Sequence, residues 1–594
     1  MLKRSIVAGL LCFAGHAYSA EILVTTTEDK DADDKECSLR EAIQYINSGM
    51  PEAGYHGCGG KDASAIILLK NKAVYKLNSR LDIKAAMTIR TIYESTEVDS
   101  TTPGLNNALL QMAAKDQILH IDNNDKALIA VNLQEVSLQG CGESVCAAQG
   151  GLIYNNETLK LQSMSLKDGQ ADFGGAIYNV GFSSEGVSSA STVQIYNSLF
   201  ENNKAGQGAA IYTQAPSLNI TSSVFKGNTG PIAIYTQNAL ADADKLVFPY
   251  KTHAIVSSTF FKNSGFAANL KDGMGFNNLS IIKNGGGVVL DVLTGQGFVA
   301  NSIILGNGQQ NCSTAAAGDK SVLFNNALTA ECSNAAAANN NTVWTDSHFI
   351  AGPDEGLCKN LVEDQNSLLC PYAVPKNSFL GYLRPRSLLS YTDIFAGPIL
   401  NKGQSEANGN TNFVACEGAD QRGKLRDADN LWCDRGAIEI VVPDTIPLNG
   451  QDIKQGQIAQ FNILESLGDS DLIPKEQCNN IVGAHPKGEA WQDGCLLIKQ
   501  TETDSKGKTV LNLNGDLEYT PNGAWHGADI FEIQVVTSSK RFNTVNKYIS
   551  VKVRIHQKPD NTVESKTVKT SGGALGFLSV AGLLGLIGLR RLKK

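Results

Sequence analysis

The chain has 594 residues, more than one ordinary globular core holds, so several folding units or one elongated solenoid are expected. Glycine is abundant at 57 residues, aromatics make up 7% and helix-forming runs are few, which favours a turn-rich all-β protein over a helical bundle. The net charge is −8, and setting aside Lys3, Arg4, Arg590, Arg591, Lys593 and Lys594 leaves a body near −14, which argues against nucleic acid and anionic lipid as partners unless a cation intervenes.

Lys3-Arg4, the apolar run Ile6 to Phe13 and the small residues Ala17, Ser19 and Ala20 have the layout of a secretory signal peptide over residues 1–20. Cleavage after Ser19 and cleavage after Ala20 both stay open. Leu11 is too large to precede a lipidated cysteine at Cys12. Ile22-Leu23-Val24 reads as a first strand and Glu28 to Glu36 as an acidic loop. Asp29, Asp31 and Asp33 alternate as in a calcium loop, but Asp34 stands where glycine belongs and Arg40 where glutamate belongs, so a solvated loop is expected. In Cys37-Ser38-Leu39-Arg40-Glu41-Ala42-Ile43, Ser38 caps a helix and Glu41 reaches back to it, while Leu39, Ala42, Ile43 and Ile46 form one apolar side.

From Gly150 to Asn307 one phrase recurs: Ser198/Phe200/Asn203, Ser223/Phe225/Asn228, Ser258/Phe260/Asn263, Leu279/Ile281/Asn284 and Ser302/Ile304/Asn307. Its period is that of a solenoid in which each coil is one supersecondary unit. Val193 to Tyr196 and Leu218 to Thr221 alternate as short strands, and Gly174 to Asn179 and Gly208 to Thr213 supply a second strand per turn. Gly and Asn tolerate positive φ at the corners, and an asparagine repeated at one corner can stack in a ladder that hydrogen-bonds the next coil. The pattern resembles a right-handed parallel β-helix, expected over residues 61–440; a β-sandwich with irregular strands stays open because the coils vary in length. Beyond Asn307 the period weakens, and Val322-Leu323-Phe324 and Ala396 to Leu400 read as strands of late coils carrying loop excursions.

Pro443 opens a different unit, 443–555. Asn514 to Pro521, then Trp525 to Val535, then Tyr548 to Ile555 read as turn and strands, and resemble bacterial Ig-like or cadherin-like repeats with Tyr-Thr-Pro and Gly-x-Asp-x-Phe phrases. Asp516, Glu518 and Asp529 are acids in calcium-like positions there, but cadherin-type ligation needs a neighbouring repeat. No resident cofactor is expected. Residues 556–571 form a polar tether. Gly572-Gly573 then precedes an apolar run from Ala574 to Leu589 that ends in Arg590-Arg591-Leu592-Lys593-Lys594, a span whose basic end should stay cytoplasmic.

Twelve cysteines lie beyond the leader in neighbouring couples: Cys37 and Cys58, Cys141 and Cys146, Cys312 and Cys332, Cys358 and Cys370, Cys416 and Cys433, Cys478 and Cys495. An even number without metal-type spacing implies disulfides and an oxidising compartment. Local pairing suits a solenoid, although the sequence alone leaves connectivity open.

Two ends of the chain carry resemblances. Cys37 to Ile43 resembles the signature of the CSLREA domain, found near the start of secreted bacterial β-helix proteins, which implies an N-terminal cap over residues 21–60. Asp420-Gln421-Arg422-Gly423, Arg426 and Cys433-Asp434-Arg435-Gly436-Ala437-Ile438-Glu439 are similar to the closing segment of the same proteins. The Gly-Gly pair, glycine-laced span and basic cluster of residues 572–594 resemble the GlyGly-CTERM tail handled by rhombosortase, a rhomboid-type serine protease. Together these make the chain resemble the rhombotarget A family. That resemblance implies cleavage near Gly572-Gly573, a new C-terminal anchor, and delivery by type II secretion to the surface of a Gram-negative cell; a permanent membrane anchor is the alternative.

Catalytic groups are sparse. Between Gly150 and Asn307 there is no arginine and the one histidine is His253; Asp242 with Asp244, Asp168 with Asp172, and Lys271 with Asp272 are the only pairs worth weighing, and a solvated turn accounts for each. Tyr178, Tyr212 and Tyr235 recur with the coils, as a sugar-stacking stripe or as packing against loops. Three functions follow: a non-enzymatic adhesin that meets a cell-surface glycan or a host surface, a polysaccharide lyase or hydrolase, and a structural surface protein. The first is the expectation.

Overall fold

The computed structural model describes residues 20–558 except 94–101, 126, 143–144, 182–190, 215–216, 241–244, 246–252, 316, 336–339, 346–347, 359–360, 362–366, 405–413, 427–431, 500–505 and 524. Ser19 and the leader, the tether beyond 558, and the tail with Gly572, Gly573, Ala574 and Leu589 lie outside the described residues, as do Asp242 and Asp244. Among the described residues no helix is long and apolar enough to cross a membrane.

Three long sheets of parallel strands, with 11, 11 and 9 strands among the described residues, stack rung upon rung, an arrangement compatible with a parallel β-helix. One rung shows the plan: Thr192–Tyr196 lies in the first sheet, Leu199–Glu201 in the second and Ile211–Thr213 in the third. With Lys204–Gln207 in a further three-stranded parallel sheet, this turn carries four strands where two were expected. One extra corner is Asn197, whose φ of 49° ends one strand and re-aims the next; Ser163, Ser222, Ser257, Asn278, Asn301 and Asn325 take the same left-handed conformation on other rungs.

Register keeps like above like. In the second sheet Leu138, Leu166, Phe200, Phe225, Phe260, Ile281 and Ile304 form one inward column. Phe200, Phe225 and Phe260 stack with centroids 4.7 and 4.8 Å apart, and the column is sealed from water. The parallel strand spacing of about 4.8 Å brings identical side chains into van der Waals contact along the axis, so the core is continuous and is buried at roughly 25 cal/mol per Å².

The third residue of the recurring phrase builds a ladder. Nδ2 of Asn203 donates to Oδ1 of Asn228 (3.0 Å), Asn228 to Asn263 (2.8 Å), Asn263 to Asn284 (2.8 Å), Asn284 to Asn307 (3.0 Å) and Asn307 to Asn311 (2.8 Å). Each of these oxygens also accepts the backbone N–H of the asparagine before it, as in Asn228 N to Asn263 Oδ1 at 3.0 Å. The first residue of the phrase does parallel work, since Ser198 N donates to Ser223 Oγ (3.2 Å) and Ser223 N to Ser258 Oγ (3.0 Å). Corners that parallel strands leave unpaired are thus satisfied by side chains.

At the start, Ala20–Leu23 pairs with Ala63–Lys70, so the cap region contributes a strand to the first sheet. The helix Leu39–Asn47 has the expected capping box: Ser38 Oγ accepts from Glu41 N and Glu41 Oε2 accepts from Ser38 N at 2.7 Å. Leu39, Ala42, Ile43 and Ile46 enter the same core as Ile67, Leu81 and Ile83, closing the open end of the stack. Arg40, which spoils the calcium pattern, forks Asp29 at 2.7 and 2.9 Å. Asp34 and Glu36 pair with Lys30.

The stack ends earlier than expected. Its last strand among the described residues is Thr342–Val343, and the described residues between 349 and 399 run back along the outside, laying Phe349, Leu369, Tyr372, Leu380 and Leu388 on Leu199, Val224, Phe261 and Ile303. Ala396 to Leu400 is correspondingly a series of turns and bends, because its apolar residues cover the sheet instead of joining it. All six adjacent cysteine couples are bonded, with Cα separations of 4.8 to 6.6 Å.

A separate two-sheet unit follows. Thr445–Ile453, Tyr548–Gln557, Gly527–Val536 and Leu497–Lys499 make one sheet; Ala459–Asn462, Asp516–Pro521 and Gly507–Leu511 make the other. Leu517, Tyr519, Phe531, Ile533, Val551 and Val553 pack between them.

Asn263→Ala should lower the unfolding free energy by about 3 kcal/mol, because it strands the backbone N–H of Asn228 and the carbonyl of Phe225 inside the protein. Lys160→Ala, on an exposed strand position, should stay within about 0.5 kcal/mol. Urea unfolding of the two variants checks the difference.

A candidate ligand groove and the buried bracket beside it

The three predicted tyrosines line up in one outward column, and it is longer than expected: His120, Tyr154, Tyr178, Tyr212 and Tyr235 share one register. Successive centroids are 4.7, 5.7, 5.1 and 5.4 Å apart, and the first three pairs lie within 8° of parallel. Phe173 leans edge-on against Tyr212, and Tyr178 and Tyr212 are only 4% and 6% exposed. A ring face stacked on its neighbour is not open to a sugar, so Tyr178 and Tyr212 act as a structural file. Their hydroxyls are also engaged: Gln214 Nε2 donates to Tyr178 Oη and Tyr212 Oη donates to Gln237 Oε1, both at 2.7 Å. Burial raises the pKa of both phenols.

The second sheet offers the more open surface. On its outer face Val74, Leu109, Ser137, Ser165 and Leu199 stand in register across five rungs. Beside them runs the column Lys76, Gln111, Gln139, Lys167 and Glu201. Gln111 Nε2 donates to Gln139 Oε1 and Gln139 Nε2 to Asp168 Oδ2, both at 3.1 Å, so the amides form a short external ladder. From Leu199 onward this face lies under the return segment; before it Val74 is exposed, Leu109 and Ser137 are half-buried and Ser165 is buried. The result is a groove of about 560 Å³.

One wall is built by a close approach. Gly104 sits at φ +94°, and a Cβ there would lie 2.1 Å from the Phe379 ring, so glycine lets the end of the return segment rest against the loop before Asn107. Asn107 lines the groove and is 8% exposed; its Nδ2 donates to the Ser163 carbonyl at 2.9 Å, while its Oδ1 has no donor. Lys72 stands at one end and Lys167 at the other. Lys167 shares Glu201 (2.8 Å) with Lys226 (3.4 Å), and Lys226 also reaches Glu355 at 3.4 Å, so both lysines are ion-paired. No local pattern signals this groove, because its floor is set by which stretch of sheet the return segment leaves uncovered.

The other weighed acids are tied up. Asp272 accepts from the backbone of Leu293 (2.8 Å) and Thr294 (3.0 Å), which holds its carboxyl below the usual range against burial, and Lys271 pairs with Asp291. Asp168 takes the Gln139 amide, and Asp172 is exposed on the strand Gln170–Phe173. In the two-sheet unit Asp529 accepts from Tyr519 Oη at 2.6 Å, Asp516 from Asn462 at 2.8 Å and Glu518 from Gln460 at 3.3 Å, so each acid has its own partner. Among the described residues Asp31, Glu41 and His56 do gather, with candidate ligand atoms within 4.8 Å of one another. There both Glu41 oxygens are taken by the N–H groups of Ala32 and Ser38, and Asp31 by His56 Nδ1 at 2.7 Å.

The closing motif is a bracket. Residues 414–426 and 432–437 cross the rungs, where Ser257 Oγ donates to the Ala419 carbonyl (2.8 Å), Asn277 Nδ2 to that of Ala415 (2.7 Å) and Asn301 Nδ2 to that of Val414 (2.9 Å). Gly436, at φ +92°, sits where a Cβ would meet Ile303 at 2.6 Å. Arg422 joins Asp420 to Asp469 of the two-sheet unit, each at 2.6 Å, and Arg384 holds Asp471 at 2.8 Å. Arg426 pairs with Glu439 at 2.8 Å. Burial and the neighbouring Glu439 charge raise the pKa of Asp434, and burial raises that of Glu439 against the pull of Arg426. These buried residues act as structural ties between the bracket, the rungs and the two-sheet unit.

Comparison of the chain with protein-family models, curated proteins and solved structures finds no match.

A carboxyl whose folded pKa is raised favours the fold while it holds its proton and loses that contribution as pH rises through the folded value. Asp434 and Glu439 should therefore contribute a decline in stability from the unfolded carboxyl range, about pH 4, upward, against the rise contributed by His120 and His253, whose pKa values burial lowers. Glu439→Gln keeps an acceptor for Arg426 and removes one charge, so it should flatten that decline. Urea midpoints measured across the pH range test this.

Proposed function

We propose that this chain is an exported, surface-displayed right-handed parallel β-helix that binds a ligand without transforming it, followed by an Ig-like module. In this reading it is a rhombotarget A-type substrate of rhombosortase: the tail holds the body at the inner membrane, cleavage near Gly572-Gly573 frees it to a new C-terminal anchor, and type II secretion carries it outward. Six disulfides support folding in an oxidising compartment. The arginine-anchored junction at Asp469 and Asp471 supports a body that travels folded, with the two-sheet unit fixed against the bracket.

The observation that carries the binding role is the groove. It combines ammonium, hydroxyl, amide and apolar groups, and its described lining holds no carboxylate, histidine or cysteine, so it offers contacts to a ligand and supports adhesion over acid–base cleavage. The stacked tyrosine file supports a subsidiary structural role, since each ring packs on the next along the third sheet.

Intact-mass analysis of the surface form tests the processing. The chain from normal cells should end near Gly572-Gly573, and cells lacking the intramembrane protease should retain residues through Lys594. A surface form that keeps Leu589 in normal cells overturns the sorting scheme.

A further inference from the structure

We propose that the cleft between the return segment and the two-sheet unit binds a small organic anion, an oxyanion group carried on a hydroxyl-bearing molecule of monosaccharide size. The inference is independent of the groove on the second sheet and goes beyond the adhesive reading.

Arg541 is the centre of the site. It lies in the short helical turn Lys540–Phe542, is 7% exposed and lines a cavity of about 240 Å³. Its Nη2 donates to the carbonyl of Leu388 and, at 3.3 Å, to that of Tyr391. Nε and Nη1 have no acceptor among the described residues, yet neither is sealed from solvent. Three other arginines near this junction are each matched with a carboxylate: Arg384 with Asp471, Arg422 with Asp420 and Asp469, and Arg426 with Glu439. Arg541 is not, and burial alone draws its pKa down to about 10, so it stays charged at neutral pH. A cation held out of water without a counter-ion is costly, and an anion that enters the cleft offsets that cost while the free guanidinium donors receive it.

Lys547 supplies a second cation. Its Nζ donates to the Ile481 carbonyl at 3.0 Å, it has no ion-pair partner among the described residues, and it lines the same cleft. The described lining holds no carboxylate. Lys540 next to Arg541 pairs with Asp444, and Asp393, next to the lining residue Thr392, accepts the Phe395 N–H at 2.7 Å. On a chain with a net charge of −8, two cations without a carboxylate make a local inversion of sign.

The rest of the lining sets the size and nature of the anion. With about 30 Å³ per water, the cavity has room for about eight waters, which suits a monosaccharide and excludes a polymer. The side-chain amides of Gln477 and Asn480 line it with no partner among the described residues, and they offer hydroxyl groups both donors and acceptors. Leu389, Ile481 and Phe542 present apolar surface to a carbon skeleton, which a bare phosphate or sulfate cannot use. The walls are anchored: the Cys478–Cys495 disulfide ties down the helix Cys478–Val482 that carries Asn480 and Ile481, and Leu389 packs on the cluster of Ile473, Cys478 and Trp491. Because Leu389 belongs to the return segment and Arg541 and Lys547 to the two-sheet unit, a bound anion bridges the seam and strengthens the hold of one on the other.

The test titrates the whole exported body with glucuronate, glucose 6-phosphate, glucose and inorganic phosphate by calorimetry. Glucuronate or glucose 6-phosphate should bind more tightly than glucose and than inorganic phosphate, and the tighter of the two assigns the group as carboxylate or phosphate. That anion should also raise the urea midpoint of the wild type. Lys547→Gln should weaken its binding roughly tenfold and Asn480→Ala about threefold, each with the ligand-free urea midpoint unchanged. Arg541→Gln should abolish binding; since it also loses two carbonyl contacts, it is read together with the other two variants. The proposal is overturned if neither sugar anion binds, if glucose binds as tightly as the tighter of them, or if Lys547→Gln and Asn480→Ala both bind as wild type. Inorganic phosphate that matches the tighter sugar anion marks an adventitious ion only, and overturns it as well.

Discussion

The structure depends on a corner that hydrogen-bonds to its own copy one rung away. A parallel stack leaves the backbone between sheets without strand partners, and these corners lie in the interior, where an unpaired N–H is costly. An asparagine there gives its oxygen to the previous rung's backbone and amide, and its nitrogen to the next rung's oxygen and an earlier carbonyl. The geometry closes only when successive asparagines are one strand spacing apart and in register. The ladder therefore sets the alignment of Phe200, Phe225 and Phe260 as much as their apolar contact does. Because a one-residue slip would bury polar side chains and break the ladder together, register is doubly specified.

What happens on the outside follows from how the chain returns. After its last rung it folds back over the second sheet, and the apolar residues of that stretch cover Leu199, Val224 and Ile303. Coverage stops where Phe379 meets Gly104. Upstream of that point the column runs Val74, Leu109, Ser137 and Ser165, and under the cover it runs Leu199, Val224, Thr259, Ser280 and Ile303, with Thr259 Oγ1 donating to Gln421 and Ser280 Oγ accepting from the Ala437 N–H. The tyrosine column solves the same problem differently, by having each ring shield the next.

Much of this was legible beforehand. The phrase beginning at Ser198 announced the period, its asparagine the ladder, Ser38 and Glu41 the capped helix, and the spacing of cysteines their pairing. These signals are local or repeat at short range, and such patterns survive in a single sequence. Two features did not. Ala396 to Leu400 looks like a strand because an apolar stretch laid on a sheet and one paired within a sheet have similar composition. The groove was invisible because it is made by residues far apart in sequence, Gly104 and Phe379, and by a boundary of coverage that no local pattern encodes. The tyrosines were noticed, but their mutual stacking required the exact register of four consecutive rungs.

The final strand of the two-sheet unit carries a mechanical consequence. Tyr548–Gln557 is flanked on both sides, parallel to Thr445–Ile453 and antiparallel to Gly527–Val536, and its inward residues are sealed in the core. A tug on the chain beyond Lys558 would act lengthwise along this strand, so its many cross-strand bonds would be loaded in shear and would have to fail together. Had the strand been placed at a sheet margin, the same tug could have peeled it away one bond at a time. The body is thus built to bear tension at that end, and the ion pairs at Asp469 and Asp471 pass the load to the bracket and on to the rungs.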